Sequence, residues 1–90
     1  MGAADIIAQK LTAAFSPSEL SVEDESARHA GHAGSRPEGE THFRVYIVSR
    51  SFEGLSRVER HRQINQVLAD ELRTNIHALA ITALAPQESK

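Results

Sequence analysis

Five histidines, His29, His32, His42, His61 and His77, are the side chains of this 90-residue chain best suited to chemistry. A neutral imidazole nitrogen is a good ligand for iron, zinc or copper, and much of the imidazole is neutral at neutral pH. His29 and His32 sit in a glycine-containing run whose backbone can swing either ring toward a metal or a partner. His77 stands beside Ile76 at the opening of the last apolar stretch, where position alone favours a packed or hydrogen-bonded ring. His61, inside Arg60-His61-Arg62, falls near an apolar stripe and is expected to be structural. His42 begins another apolar stretch and is expected to be partly exposed. The chain has no cysteine. That removes disulfides, thiol nucleophiles, all-thiolate clusters and cysteine-type zinc fingers. Any metal must be held through imidazole, and two loop histidines fall short of a four-ligand site, so a partner would complete it.

Other chemistries find little footing. Glycine-rich phosphate loops of the Walker or Rossmann type are absent. Gly31-His32-Ala33-Gly34 has the letters of a GxxG nucleic-acid clamp, but it falls between two strands where such a clamp joins two helices. No Ser/His/Asp arrangement can be read from the order of residues, and no enzymatic activity is expected. Net charge is −2 with a pI near 6.2, so no global basic field marks a nucleic-acid binder. Arg50, Arg57, Arg60 and Arg62 are diluted by Glu53, Glu59, Asp70 and Glu71. No apolar run is long enough to span a bilayer, and the first ten residues lack the pattern of a secretory signal. A cytoplasmic location without membrane contact is the expectation.

The elements that must hold these residues follow from periodicity. Ile6, Ile7, Leu11, Ala14 and Phe15 recur at helical spacing from Ala3 to Phe15, and Pro17 punctuates the end. Leu20 and Val22 alternate with polar neighbours in a short strand running toward Glu25. Residues 27–40 contain Gly31, Gly34, Pro37 and Gly39 and no large apolar side chain, so they form a long loop. From Thr41 to Ser49, Phe43, Val45 and Ile47 share one strand face, with Arg44, Tyr46 and Val48 on the other. Ser56-Arg57-Val58-Glu59 has capping-box form and starts a helix expected over 57–73 with a bend early on. Its stripe is Val58, His61, Ile64, Val67, Leu68 and Leu72. Thr74-Asn75 terminates it. Ile76 to Leu84 is the last strand, with Leu79 and Ile81 on the His77 face and Ala78 and Ala80 on the other. Residues 86–90 read as a polar tail. The whole is one domain in which the early strands pair antiparallel and the helices cover one sheet face.

Several of these segments resemble the BolA family. They are Asp24-Glu25-Ser26 followed by His29, then Thr41-His42-Phe43-Arg44-Val45, then Val48-Ser49-Arg50-Ser51-Phe52-Glu53-Gly54. Arg60-His61-Arg62, Leu68-Ala69-Asp70-Glu71-Leu72 and Ile76-His77-Ala78-Leu79-Ala80 complete the set. They occur in order and span nearly the whole chain. The resemblance implies an α+β, KH-like fold of the second (type II) topology, αββααβ, with a three-stranded mixed sheet and helices on one face. It also implies partnership with a monothiol glutaredoxin in binding, sensing or transferring a [2Fe-2S] cluster, within iron–sulfur cluster assembly or iron homeostasis. The ligand histidine at the final strand corresponds to His77. The loop ligand of the histidine-loop subtype corresponds to His29, while the longer loop here leaves His32 as the alternative. The partner's cysteine and glutathione would ligate the other iron, with no cofactor on the isolated chain, which is expected to be a monomer. The rival reading is a DNA-binding transcriptional regulator using Arg57, Arg60 and Arg62 of the helical region.

Overall fold

A computed structural model describes residues 2–25, 42–74 and 76–89. The 27–40 loop, with His29 and His32, lies outside them, as does Asn75. The chain opens with α1 (Ala3–Phe15), whose Ile7, Leu11 and Phe15 are spaced four apart and buried on one face. Ile6 is half-buried and Ala14 exposed, so the stripe is narrower than the apolar residues alone suggest. Ser16 ends the helix in the left-handed region (φ 45°), its N–H returning to the Thr12 carbonyl. The αL residue turns the chain into β1 (Glu19–Asp24).

β2 (His42–Val48) occupies the centre of the sheet, antiparallel to β1 and parallel to β3 (Ala78–Leu84). Leu20 and Val22 of β1 lie opposite Ile47 and Val45, while Phe43, Val45 and Ile47 lie opposite Leu79, Ile81 and Ala83. One face of all three strands is therefore apolar. Against it pack Ile7, Leu11 and Phe15 of α1, with Phe52, Ile64, Leu68 and Ile76, in a single core cluster. The Phe15 and Phe52 rings meet with centroids 5.0 Å apart. Both helical regions thus lie on one side of a mixed sheet, the αββααβ order of an α+β fold. The other sheet face carries His42, Arg44 and Tyr46, with Ala78, Ala80 and Thr82 exposed beside them.

The single helix expected over 57–73 is two. α2 (Arg57–Val67) and α3 (Ala69–Thr74) meet at Leu68, whose φ −100°, ψ 18° departs from helical values while its N–H still reaches the Ile64 carbonyl. The bend is at the middle rather than early, and it keeps both Ile64 and Leu68 fully buried. The stripe also differs at its start. Val58 is 64% exposed, and Arg60 takes the inward position. The Ser56 hydroxyl caps α2 by accepting from the Glu59 N–H at 3.2 Å. The Glu59 carboxylate accepts from Arg62 at 2.8 Å.

The expected polar tail is partly structured, because Pro86–Glu88 form a short 3-10 turn tied to α2. Arg60 Nη1 and Nη2 donate to the two Glu88 oxygens at 2.6 and 3.1 Å, and the guanidinium also donates to the carbonyls of Leu55 and Ala83. Glu88 Oε1 accepts the Ala85 N–H as well, at 2.8 Å. Ser49, fully buried after β2, donates its hydroxyl to the Phe15 carbonyl at 2.7 Å and accepts from the Ser51 N–H. Lys10 of α1 pairs with the buried Glu71 of α3 at 2.8 Å.

Candidate functional site

The parallel pairing of β2 and β3 decides where the histidines meet. Parallel strands start at the same end of a sheet. Here the register sets His42, the first residue of β2, opposite Ala78, the first residue of β3. His77 precedes Ala78 in a bend rather than opening the strand at Ile76 as the sequence suggests. Ile76 is buried in the core, and its N–H is held by the Glu71 carbonyl at 2.8 Å, so the chain enters the sheet from a fixed anchor. His77 itself is exposed, whereas Leu79 and Ile81 are partly buried against the core. Its ring stacks on that of His42, with centroids 5.7 Å apart and planes 14° from parallel.

The same end of the sheet receives the chain from β1. The Glu25 N–H donates to the His42 carbonyl at 2.7 Å, and the Glu25 carboxylate accepts from Arg44 Nε at 2.7 Å. That hydrogen bond and the charge of Glu25 raise the Arg44 pKa above its ordinary value. Glu25 and His42, the described residues on either side of segment 26–41, therefore lie together at the end of the sheet that carries the imidazole pair. Among the described residues no group of three or more His, Cys, Asp or Glu side chains is placed to hold a metal ion. The site as described offers two adjacent imidazoles and an exposed approach, a donor set that needs completion from elsewhere.

The family resemblance singles out His77, whereas His42 is expected from the sequence only to be partly exposed. The signal that joins them was present. Two apolar strands connected by a helical crossover must run parallel, so residues at their starts are neighbours.

The arginine set separates. Arg60 is 8% exposed and holds Glu88 and two main-chain carbonyls, which explains its inward position and removes it from the surface where a nucleic acid would bind. Its pKa is raised, chiefly by the Glu88 hydrogen bond, and Glu88 is in turn lowered to about 2. Arg57 and Arg62 are exposed on α2, with Arg62 paired to Glu59. His61 is half-buried and lines an open groove of about 520 Å³ along α2, with Val58, Arg62 and Asn65. It is a groove residue rather than part of the core stripe. No described helix is long and apolar enough to cross a membrane.

A family model described as BolA-like protein matches residues 11–88. Among curated proteins, the chloroplastic protein BOLA1 of Arabidopsis thaliana is 49% identical over 83 residues, covering 90% of this chain and 52% of that protein. The DNA-binding transcriptional regulator BolA of Vibrio cholerae is 49% identical over 84 residues, covering 93% and 76%. This chain thus spans about half the length of the chloroplastic relative. The solved structure of BolA1 from Arabidopsis thaliana superposes with a TM-score of 0.88 at 44% identity, covering 100% of this chain and 98% of that one. The order of elements, the mixed sheet and the sequence itself therefore agree, and the chain belongs to the BolA family.

Proposed function

We propose that this protein binds a monothiol glutaredoxin and contributes histidine ligands to a [2Fe-2S] cluster that the two proteins share, to hold, sense or pass on the cluster. The observation that carries this reading is the exposed His77 imidazole, set against His42 at one end of the sheet in a chain without thiolates. A cluster needs four ligands. The partner's cysteine and glutathione would hold one iron, and this chain would offer imidazole to the other.

His77 is the firmer ligand, since a buried Ile76 and the first residue of β3 fix its backbone on either side. The second ligand is His29 or His32. His29 is four residues beyond Glu25, and four residues of chain reach at most about 14 Å, so it can return to the His77 end of the sheet. Replacing two thiolates by neutral imidazoles makes a cluster less negative and raises its potential. Ligation through imidazole also competes with protons, so acidification favours release of the cluster.

The reading is tested by labelling the chain with 15N-histidine, mixing it with cluster-loaded glutaredoxin and recording pulsed electron paramagnetic resonance of the reduced sample. The expected result is a nitrogen coupling that changes on isotope substitution. A spectrum insensitive to 15N would refute it.

A second reading has support from the relative named as a DNA-binding transcriptional regulator and from the exposed Arg57 and Arg62 on α2. In that reading α2 meets the phosphate backbone. The engagement of Arg60 with Glu88 and the net charge of −2 weigh against it. A sequence-selective shift of promoter DNA by the protein alone, reduced in Arg57→Ala and Arg62→Ala, would favour it over the cluster reading.

A further inference from the structure

The two edges of the sheet are protected unequally. β1 exposes Glu19, Glu23 and Asp24, and charges of this kind discourage pairing with another strand. β3, Ala-Leu-Ala-Ile-Thr-Ala-Leu, has no charge, proline or glycine, and β2 is its single strand neighbour among the described residues. Its main-chain groups can be sorted by side. The Leu84 carbonyl accepts from the Ser49 N–H, so Leu84, and with it Thr82, Ala80 and Ala78, bond toward β2. Leu79, Ile81 and Ala83 therefore direct their N–H and C=O groups outward. At Ala83 that carbonyl is occupied by Arg60 at 3.0 Å, and the residue is 8% exposed. Arg60 thus closes the far end of the edge, leaving, among the described residues, an outward window at Leu79 and Ile81.

We propose that this window pairs antiparallel with the same window of a second copy, about a two-fold axis at Ala80, joining two sheets into one of six strands. In that register Leu79 of each copy faces Ile81 of the other, and each such pair exchanges two hydrogen bonds, four in all. Both residues belong to the apolar face, so the two cores become continuous. On the outer face Ala80 meets Ala80 in the closer, non-hydrogen-bonded position, and Ala78 meets Thr82. All three are exposed and small, which permits close approach. Charge separates the two edges as surfaces for self-pairing. An identical uncharged strand meets no like charge along the window, whereas two β1 edges would oppose three carboxylates each. So short a pairing lies below the size of a standard stable interface, so association is weak and grows with concentration.

The experiment is sedimentation equilibrium of the full chain up to roughly millimolar concentration, the range suited to small interfaces. It is combined with an isotope-filtered NOE measurement between labelled and unlabelled copies. Concentration-dependent dimerisation with contacts from the Ala80 methyl to its counterpart is expected. Ala80→Lys opposes like charges across the axis and should weaken association. The double variant Ala78→Lys/Thr82→Lys should weaken it about tenfold, and Ala78→Lys/Thr82→Glu should tighten it by a similar factor through two cross-strand pairs. These side chains point away from the core, and unchanged melting of the variants at low concentration separates a pairing effect from misfolding. A monomer at every concentration overturns the proposal. A dimer indifferent to these substitutions overturns it equally, since it would form through another surface.

Discussion

The rings of His42 and His77 stack at a centroid separation of 5.7 Å, although 34 residues separate them in the chain, because β2, which His42 opens, and β3, which His77 precedes, run parallel and in register. Stacking restricts the His77 ring at an otherwise exposed position. If His77 is a ligand, His42 is a positioning residue. His42→Ala is then expected to weaken cluster transfer to the complex by roughly tenfold, the range found for groups that orient a ligand. His42→Phe, which keeps a stacking ring, should recover much of the loss. Titration followed by visible circular dichroism measures both. An equal loss in the two variants would mean that His42 acts through its nitrogens instead.

Arg60 should matter to stability rather than to surface binding. Arg60→Ala leaves the Leu55 and Ala83 carbonyls without their charged donor, costing about 1–3 kcal/mol. Urea unfolding checks this, and a variant as stable as the parent would show that the guanidinium network contributes little.

The same network gives a pH dependence. Glu88 in the folded chain titrates at about 2, below its ordinary 4.5, first because Arg60 donates to it and next because the Ala85 N–H does. A depressed carboxylate contributes stability that is fully present above the unfolded-state value and lost as pH falls through the folded one. The contribution of Glu88 should therefore fade between pH 4.5 and about 2. In that window Glu88→Gln should show a shallower fall in melting temperature than the parent. Parallel curves for the two proteins would contradict it.

Ser49→Ala removes a buried hydroxyl that joins the end of β2 to the last carbonyl of α1 and also accepts from Ser51. A loss of about 1–2 kcal/mol is expected from denaturant unfolding, because the Phe15 carbonyl loses its side-chain donor. A loss within a few tenths of a kcal/mol would show that solvent replaces the hydroxyl.

Substitutions on α2 distinguish the observed stripe from the one that periodicity suggests. Val58→Ala should change stability by no more than about 0.5 kcal/mol, since the side chain is mostly exposed. Ile64→Ala, at a fully buried position, should cost about 2–5 kcal/mol. Comparable losses at both sites would contradict the observed orientation of the helix.

Periodicity made most of the fold legible. Alternation in β2 placed Phe43, Val45 and Ile47 on the core face, and helical spacing placed Ile7, Leu11 and Phe15 together. It misassigned Val58 and Arg60 because hydropathy alone cannot see that a guanidinium will find Glu88 and two carbonyls across the fold. It also read Pro86–Glu88 as tail, since the partner holding that turn is 28 residues away. For the site, the family resemblance pointed to His77, but its pairing with His42 depends on strand register, which only the assembled sheet fixes. His29 and His32 fall outside the described residues, and the choice between them rests on variants.

Shared ligation is measured by adding this protein to [2Fe-2S]-loaded monothiol glutaredoxin with glutathione and following the visible absorption and circular dichroism. A saturable change of spectrum is expected with the parent chain, none with His77→Ala, and an intermediate loss with whichever of His29→Ala and His32→Ala removes the loop ligand. An unchanged spectrum with the parent, or the same change with His77→Ala, would contradict it.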